Sequence, residues 1–245
     1  TSGSGNHFVE FGVLTIEKGL ELSPGEYLAM ISHSGSRGTG ADIARYYSRL
    51  AMDLHPELPK ELTHLAWLDL DSMEGHEYWQ AMELMGEYAA ANHELIHRAI
   101  LNNLGVPAIL ELENHHNFAW KEKHNDKDVI VHRKGATPAG RDDFGIIPGS
   151  MATPGFIVRG KANPASLNSA SHGAGRRLSR KATKKKYRWR DVEEILARKK
   201  IHLISSGLDE APMAYKDIEE VMAAQADLVE ILARFDPKLV KMSRG

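Results

Sequence analysis

The stretch Ser171-His172-Gly173-Ala174-Gly175-Arg176 sets a histidine between a serine and two glycines, with an arginine close behind. Glycines let backbone N–H groups approach a phosphate closely, and an arginine can fork onto its oxygens. A histidine held there can attack phosphorus or bind a metal. Three more histidines have comparable surroundings, in Gly5-Asn6-His7, His33-Ser34-Gly35-Ser36-Arg37-Gly38 and Asn114-His115-His116-Asn117. Far apart in sequence and flanked by Asn, Ser or Gly, the four read as one assembled metal and phosphate site. The chain has no cysteine, so any metal must rely on imidazole and carboxylate, and 13 histidines in 245 residues suit Mn, Zn or Fe. Spacing does not choose between His115 and His116, because adjacent strand residues point to opposite faces. Asn6 and Asn117 can orient the imidazoles beside them or donate to phosphate oxygens.

A second feature is electrostatic. The net charge of −2 does not predict nucleic-acid binding, yet residues 176–200 hold Arg176, Arg177, Arg180, Lys181, Lys184, Lys185, Lys186, Arg188, Arg190, Arg198, Lys199 and Lys200 against Asp191, Glu193 and Glu194. Such a run is either a solvated surface or a polyanion-binding tract, and its place directly after His172 favours the polyanion. Tyr187 and Trp189 among the cations can stack on bases or belong to the core. Val131-His132-Arg133-Lys134-Gly135-Ala136-Thr137 ends a strand in a compact cationic group, suited to phosphate or to a solvated turn, and Pro148-Gly149-Ser150-Met151 offers a tight turn with a hydroxyl. His93-Glu94-Leu95-Ile96-His97 matches the H-E-x-x-H pattern of zinc peptidases. Its alanine-rich amphipathic setting, and Gly105 and Pro107 before Glu111 and Glu113, mark it instead as part of an ordinary helix. His55, His64, His76, His124 and His202 read as structural.

The elements that must position these groups follow from periodicity and punctuation. Residues 8–11 read as a short strand and residues 27–31 as a buried strand running into the His33 loop. Helical spacing covers residues 40–52, and residues 77–104 form one long helix stopped by Gly105 and Pro107. Strands are expected at 108–112 and 129–132, turns and strands at 145–158, and helices at 190–198 and 217–234. Mixed short strands and separated helices around a central histidine-rich cleft give an α+β class, as a single domain over 1–245. No apolar run approaches the length of about 18 residues that a membrane helix needs, and no signal peptide is evident, so a cytoplasmic protein is expected.

Taken together, GSGNHFVE, SHSGSRGTG, ENHHN, VHRKGAT, IPGSM, SHGAGRRLSR and EAPMAYKDIEEV resemble the RtcB family of RNA-splicing ligases, in the family's order and nearly end to end. The resemblance implies an enzyme that uses GTP and Mn²⁺ to join RNA ends bearing a 2′,3′-cyclic phosphate or 3′-phosphate to 5′-hydroxyl ends, in tRNA splicing or RNA repair. It implies that His172 becomes guanylylated and that His7, His33 and His116 bind metal. Asn6, His7, Phe8, Val9, Glu10, His116, Asn117, Gly149, Ser150, Met151, Gly173, Ala174, Gly175, Tyr215 and Lys241 match positions around the guanylate. Glu10 suits that role, since a carboxylate accepts two hydrogen bonds from the Watson–Crick edge of guanine. Arg37, Lys134, Arg176, Arg180, Lys184, Lys185 and Lys186 are the candidates for RNA or phosphate. An archease-type activator is a further implied partner. Family members carry an upstream segment whose aspartate and cysteine complete a two-manganese site, so these residues are either the C-terminal portion of a longer chain, which is the favoured expectation, or a shortened variant with fewer metal ligands. Two rival readings stay open: a metal-dependent phosphoesterase with the same histidines, and an RNA-binding module with a structural metal.

Overall fold

In the computed structural model, which describes residues 5–243, the alternation of Phe8, Glu10, Gly12, Leu14 and Ile16 with half-exposed neighbours forms strand β1, Phe8–Ile16. It runs well past the short strand expected at 8–11. Strand β2, Gly25–His33, pairs with it antiparallel and is the sheet's edge. The expectation of a buried strand here is corrected: Leu28 is 78% exposed, while only its neighbours Tyr27, Ala29 and Ile31 pack onto the core. A continuous apolar run hides which alternate residues face inward.

Contacts divide the chain into two compact units, residues 34–105 and residues 5–33 with 106–243. The first is helical. It contains α1, Arg37–Leu54, a 3₁₀ turn at Thr63–Leu65, and α2, Met73–Leu104. Ser72 caps α2 by accepting from the Gly75 N–H at 3.0 Å, and Gly105 ends it in the left-handed region at φ 69°. His93 of the H-E-x-x-H segment accepts the Ser34 N–H at 3.0 Å, a structural contact, and His55 stacks on Trp67 with centroids 3.8 Å apart.

The second unit carries the sheet. After 106–116, which is not a strand where one was expected at 108–112, β3 (Asn117–His124) and β4 (Lys127–Lys134) form a hairpin. Its two-residue turn, Asn125-Asp126, has positive φ at both positions, which matches the twist of the flanking strands. Next come β5 (Ala136–Pro138), β6 (Phe144–Ile147), β7 (Gly155–Gly160) and β8 (Ser169–Ser171). Helices α3 (Arg180–Lys186) and α4 (Trp189–Lys199), β9 (His202–Ser205), α5 (Ile218–Ala223) and β10 (Val229–Met242) complete it.

Strand β10 is central in the sheet order β2-β1-β10-β7-β6. It pairs with β1 on one side, and on the other with β7 and then, in parallel, with β9. The helix expected over 217–234 is therefore corrected: it stops at Ala223, a turn spans 224–228, and the strand begins at Val229. Apolar residues at 218, 221, 222, 228, 229 and 232 keep helical spacing, but pairing on both edges of β10 overrides it. Helix α4 buries Val192 and Leu196 against Val240 and Met242, whereas α5 buries Ile218 and Met222 against Phe156 and Val158.

A bulge at Phe11/Gly12 fits the β10 core to β1. A Cβ on Gly12 would stand 2.3 Å from the Asp236 carbonyl and 2.7 Å from the Phe235 ring, so only glycine lets that ring in. Phe235, 1% exposed, should be among the costliest core residues to truncate. Phe235→Ala is expected to lower stability by about 3–5 kcal/mol, read as a shift in urea midpoint at an unchanged slope.

Candidate functional site

Four strand ends bring the flagged histidines together within the sheet-bearing unit. His7 enters β1, His33 closes β2, His116 precedes β3 and His172 follows β8. Their rings form a continuous chain, with centroids 5.3 Å apart for His7–His33, 5.0 Å for His33–His116 and 4.9 Å for His116–His172. Phe8, opposite His33 in the β1–β2 register, packs its ring on His33 at 5.8 Å. Of the adjacent pair at 115 and 116, His116 joins this ring chain, and His115 lies against Phe118.

Gly135 couples the last two members. Its N–H donates to the His116 carbonyl at 3.1 Å, and its own carbonyl accepts from the His172 N–H at 3.4 Å. It does so at φ 74°, where a side chain would be strained. From there β5 pairs with β8, Ala136 opposite Ser171, which carries the chain back to His172. Arg133, buried at the end of β4, forks onto Glu122 and reaches Ser169 Oγ at 2.8 Å and the Leu167 carbonyl at 3.0 Å. The hairpin is thereby tied to the strand before His172.

The turn after His172 is held from three sides. Ser171 N–H donates to Gln225 Oε1 at 2.9 Å, Ser171 Oγ to the Gly173 carbonyl at 2.8 Å, and Ala174 N–H to the Pro148 carbonyl at 3.1 Å. A Cβ on Gly173 would approach that same Pro148 oxygen to 3.0 Å, which fastens the Pro148-Gly149-Ser150-Met151 turn beneath it. Ser150 is fixed by Thr153, backbone N–H to Oγ1 at 2.7 Å and hydroxyl to hydroxyl at 2.9 Å, and Met151 is buried.

Arg176 turns inward. Its guanidinium meets Glu210 at 3.1 Å, Tyr215 Oη at 3.3 Å, Thr183 Oγ1 at 3.2 Å and the Asp209 carbonyl at 2.6 Å. Glu210, 1% exposed, also takes Arg180 Nε at 3.1 Å and the Tyr215 hydroxyl. Lys184 approaches Asp209 Oδ1 at 3.2 Å without an aligned hydrogen bond. Three of the cations flagged for phosphate are thus engaged by Asp209 and Glu210. Lys185, Lys186 and Lys134 are exposed, Asn117 and Lys134 lie opposite each other in the β3–β4 register, and Arg37 opens α1 in the helical unit. Asn6 is exposed beside Gly5, and Arg180 lies 3.4 Å from where a Gly5 Cβ would be. Exposed Lys241 pairs in register with Val9, on the strand face opposite to that of Glu10.

Three titrating groups around the site are displaced. Glu10 is buried between Ile31 and Val240, and burial alone pushes its carboxyl up to about 8. Burial likewise lowers the His172 imidazole, with the Gly135 carbonyl opposing in part. His172 Nδ1 is buried with no hydrogen-bond partner. Burial, followed by the nearby Glu210 carboxylate, raises the Tyr215 phenol. Sequence reasoning gave no role to Glu210, Asp209 or Gln225. A carboxylate directly before the small apolar run Ala211-Pro212-Met213-Ala214 was the available sign of a buried acid.

Three imidazoles within one ring chain fit a divalent transition metal by donor chemistry. The rings pack against one another, and among the described residues no three His, Asp or Glu side chains converge as a metal-holding group. No described helix is long and apolar enough to cross a membrane.

Comparison with known proteins gives a consistent answer. The family model described as tRNA-splicing ligase RtcB matches residues 1–242. An RNA-splicing ligase RtcB from Escherichia coli is 37% identical over 95% of this chain and 58% of its own length. A tRNA-splicing ligase RtcB from Nanoarchaeum equitans is 33% identical over 98% of the chain and 58% of its own length. One from Pyrococcus horikoshii is 31% identical over 96% of the chain and 32% of its own length. The chain therefore spans little more than half the length of the first two of these relatives.

Glu10 yields a pH signature. Below pH 4.5 its carboxyl is neutral folded and unfolded alike; from there to about 8 only the folded chain keeps the proton. Stability contributed by this group should fall as pH rises through that window, by up to about 1.4 kcal/mol per pH unit, and level off above it. Urea midpoints from pH 5 to 9 should show that fall in the wild type, and Glu10→Gln should remove it.

Proposed function

Because the chain belongs to the tRNA-splicing ligase RtcB family, we propose that it joins RNA ends through guanylate carried on His172. The observation that carries this reading is the chain of imidazoles ending in a half-buried His172. A lowered pKa keeps that ring neutral near pH 7, with a lone pair to give. Since Nδ1 is buried, Nε2 is the nitrogen that faces a reacting group. It attacks the α-phosphorus of GTP, a P–N bond forms, and the bond to pyrophosphate breaks. The guanylate then passes to the 3′-phosphate of an RNA end, freeing His172. A 5′-hydroxyl attacks that activated phosphate, loses its proton and displaces GMP. Ends bearing a 2′,3′-cyclic phosphate are first opened by water, which breaks the P–O2′ bond and leaves a 2′-hydroxyl and the 3′-phosphate.

The rest of the site supports these steps by position. In the turn after the nucleophile the Ala174 N–H is taken by the Pro148 carbonyl, so the Gly175 N–H is the backbone donor that would meet a phosphate oxygen. Glu10 is a buried carboxyl that lacks a donor, so guanine's N1–H and N2–H would supply what the fold leaves out. Ser150, Asn6 and Asn117 stand at turn and strand ends as polar partners for the nucleotide. His7, His33 and His116 are the imidazoles that would hold Mn²⁺ once their rings turn from packing on one another to share an ion, and the metal would supply charge neutralisation on the phosphates. Protonating the ring of the phosphoramidate lets its P–N bond break with neutral imidazole as the leaving group, so His172 is returned in the form in which it attacked.

Incubation of the protein with Mn²⁺ and GTP labelled at the α-phosphate should give labelled protein that is stable to alkali and labile to acid. His172→Ala should take up no label while keeping its urea midpoint close to wild type, because a loop imidazole contributes little packing. Label on the alanine variant would remove His172 from the nucleophile's role.

A further inference from the structure

Two groups of cations within residues 176–200 differ in how they are held. Arg176, Arg180 and Lys184 are held by Asp209 and Glu210. Arg190, Arg198, Lys199 and Lys200 are exposed, and among the described residues none has a carboxylate partner. This second set lies at the two ends of α4, with Arg190 in its first turn and Arg198, Lys199 and Lys200 at its close.

Between those ends, α4 and β9 border an open groove of about 450 Å³. That is within the range of roughly 300–1,000 Å³ typical of small-ligand sites. One wall is the helix face of Trp189, Glu193 and Ala197, spaced four residues apart, and the other includes His202 and Ile204. Trp189 is 39% exposed there, whereas Tyr187 packs against the core with Lys186 over its ring. Of the two aromatics in the tract, only Trp189 lines the groove. Glu193 and His202, in the same lining, supply an acceptor and a donor–acceptor pair.

An indole beside Arg190 at one end of the groove, with three more unpaired cations where the bordering helix closes, suits a strand that carries both an aromatic group and a run of phosphates. We propose that this groove binds an unpaired base of single-stranded RNA, stacked on Trp189, with the adjoining phosphates on Arg190 and on Arg198, Lys199 and Lys200. The inference rests on the reading of the chain as an RNA ligase and adds to it a base subsite distinct from the histidine chain. Stacking on a single aromatic is sequence-tolerant, so the subsite would hold the strand without choosing its sequence.

The test is fluorescence anisotropy of end-labelled hexauridylate with wild type, Trp189→Ala and Trp189→Phe. Loss of one base–aromatic stack should weaken binding about 5- to 150-fold in Trp189→Ala, and Trp189→Phe should recover most of it. Equal affinity of wild type and Trp189→Ala overturns the groove assignment. So does a phenylalanine variant as weak as the alanine one, since that would mark lost packing rather than lost stacking. Uptake of α-labelled GTP by the wild-type protein, measured alongside, separates the two readings. Hexauridylate bound through Trp189 with no label on the protein would leave the groove standing and overturn the guanylate mechanism; label with hexauridylate indifferent to Trp189 would do the reverse.

Discussion

The buried carboxylate of Glu210 is the contact on which the geometry around His172 depends. Taking a charge out of water costs several kcal/mol unless partners replace the lost hydration. Arg176, Arg180 and Tyr215 all converge on this one group. Because Arg176 lies four residues after His172, the pairing fixes the exit of the His172 turn, as Gln225 fixes its entry at Ser171 and Pro148 its middle at Ala174. The tract's first cations are therefore structural, and its later ones are left for solvent or for a partner.

Glu10 is the counterpart. It is buried nearly as deeply, yet burial alone sets its pKa, with no cation or donor to offset the cost. One buried acid is fully paired and holds the fold together; the other is unpaired and sits in β1 three residues from His7. An unpaired buried carboxyl near a candidate site is a strained group that a donor-bearing ligand would relieve. The proposed guanine contact is such a relief, and it links nucleotide binding to loss of a proton from Glu10.

What the sequence made legible follows from how local each signal was. The long helix ending at Leu104 was readable because Gly105 stops it through its own backbone freedom. The histidine chain was readable because Asn, Ser and Gly beside each ring marked loop positions at strand ends. The strand β10 was not, since its residues continue the helical spacing of α5 and only pairing on both edges decides the matter. Hairpin strand β3 was equally opaque, as Lys121-Glu122-Lys123-His124 carries little apolar signal. Glu210 escaped notice for a different reason: its partners come from positions 176, 180 and 215, and nothing near it in sequence shows that they meet. For Tyr187 and Trp189 the sequence left core and surface open, and packing assigned one to each.

The central claim is that His7, His33, His116 and His172 form one site. It is tested most directly by titrating Mn²⁺ into protein with ¹⁵N-labelled histidine and following the imidazole resonances. The account predicts that signals of His7, His33 and His116 broaden together, with His172 close behind, at metal levels that leave His64, His76 and His202 sharp. Broadening that begins at His93 and His97, or that spreads evenly over all the histidines, would contradict it.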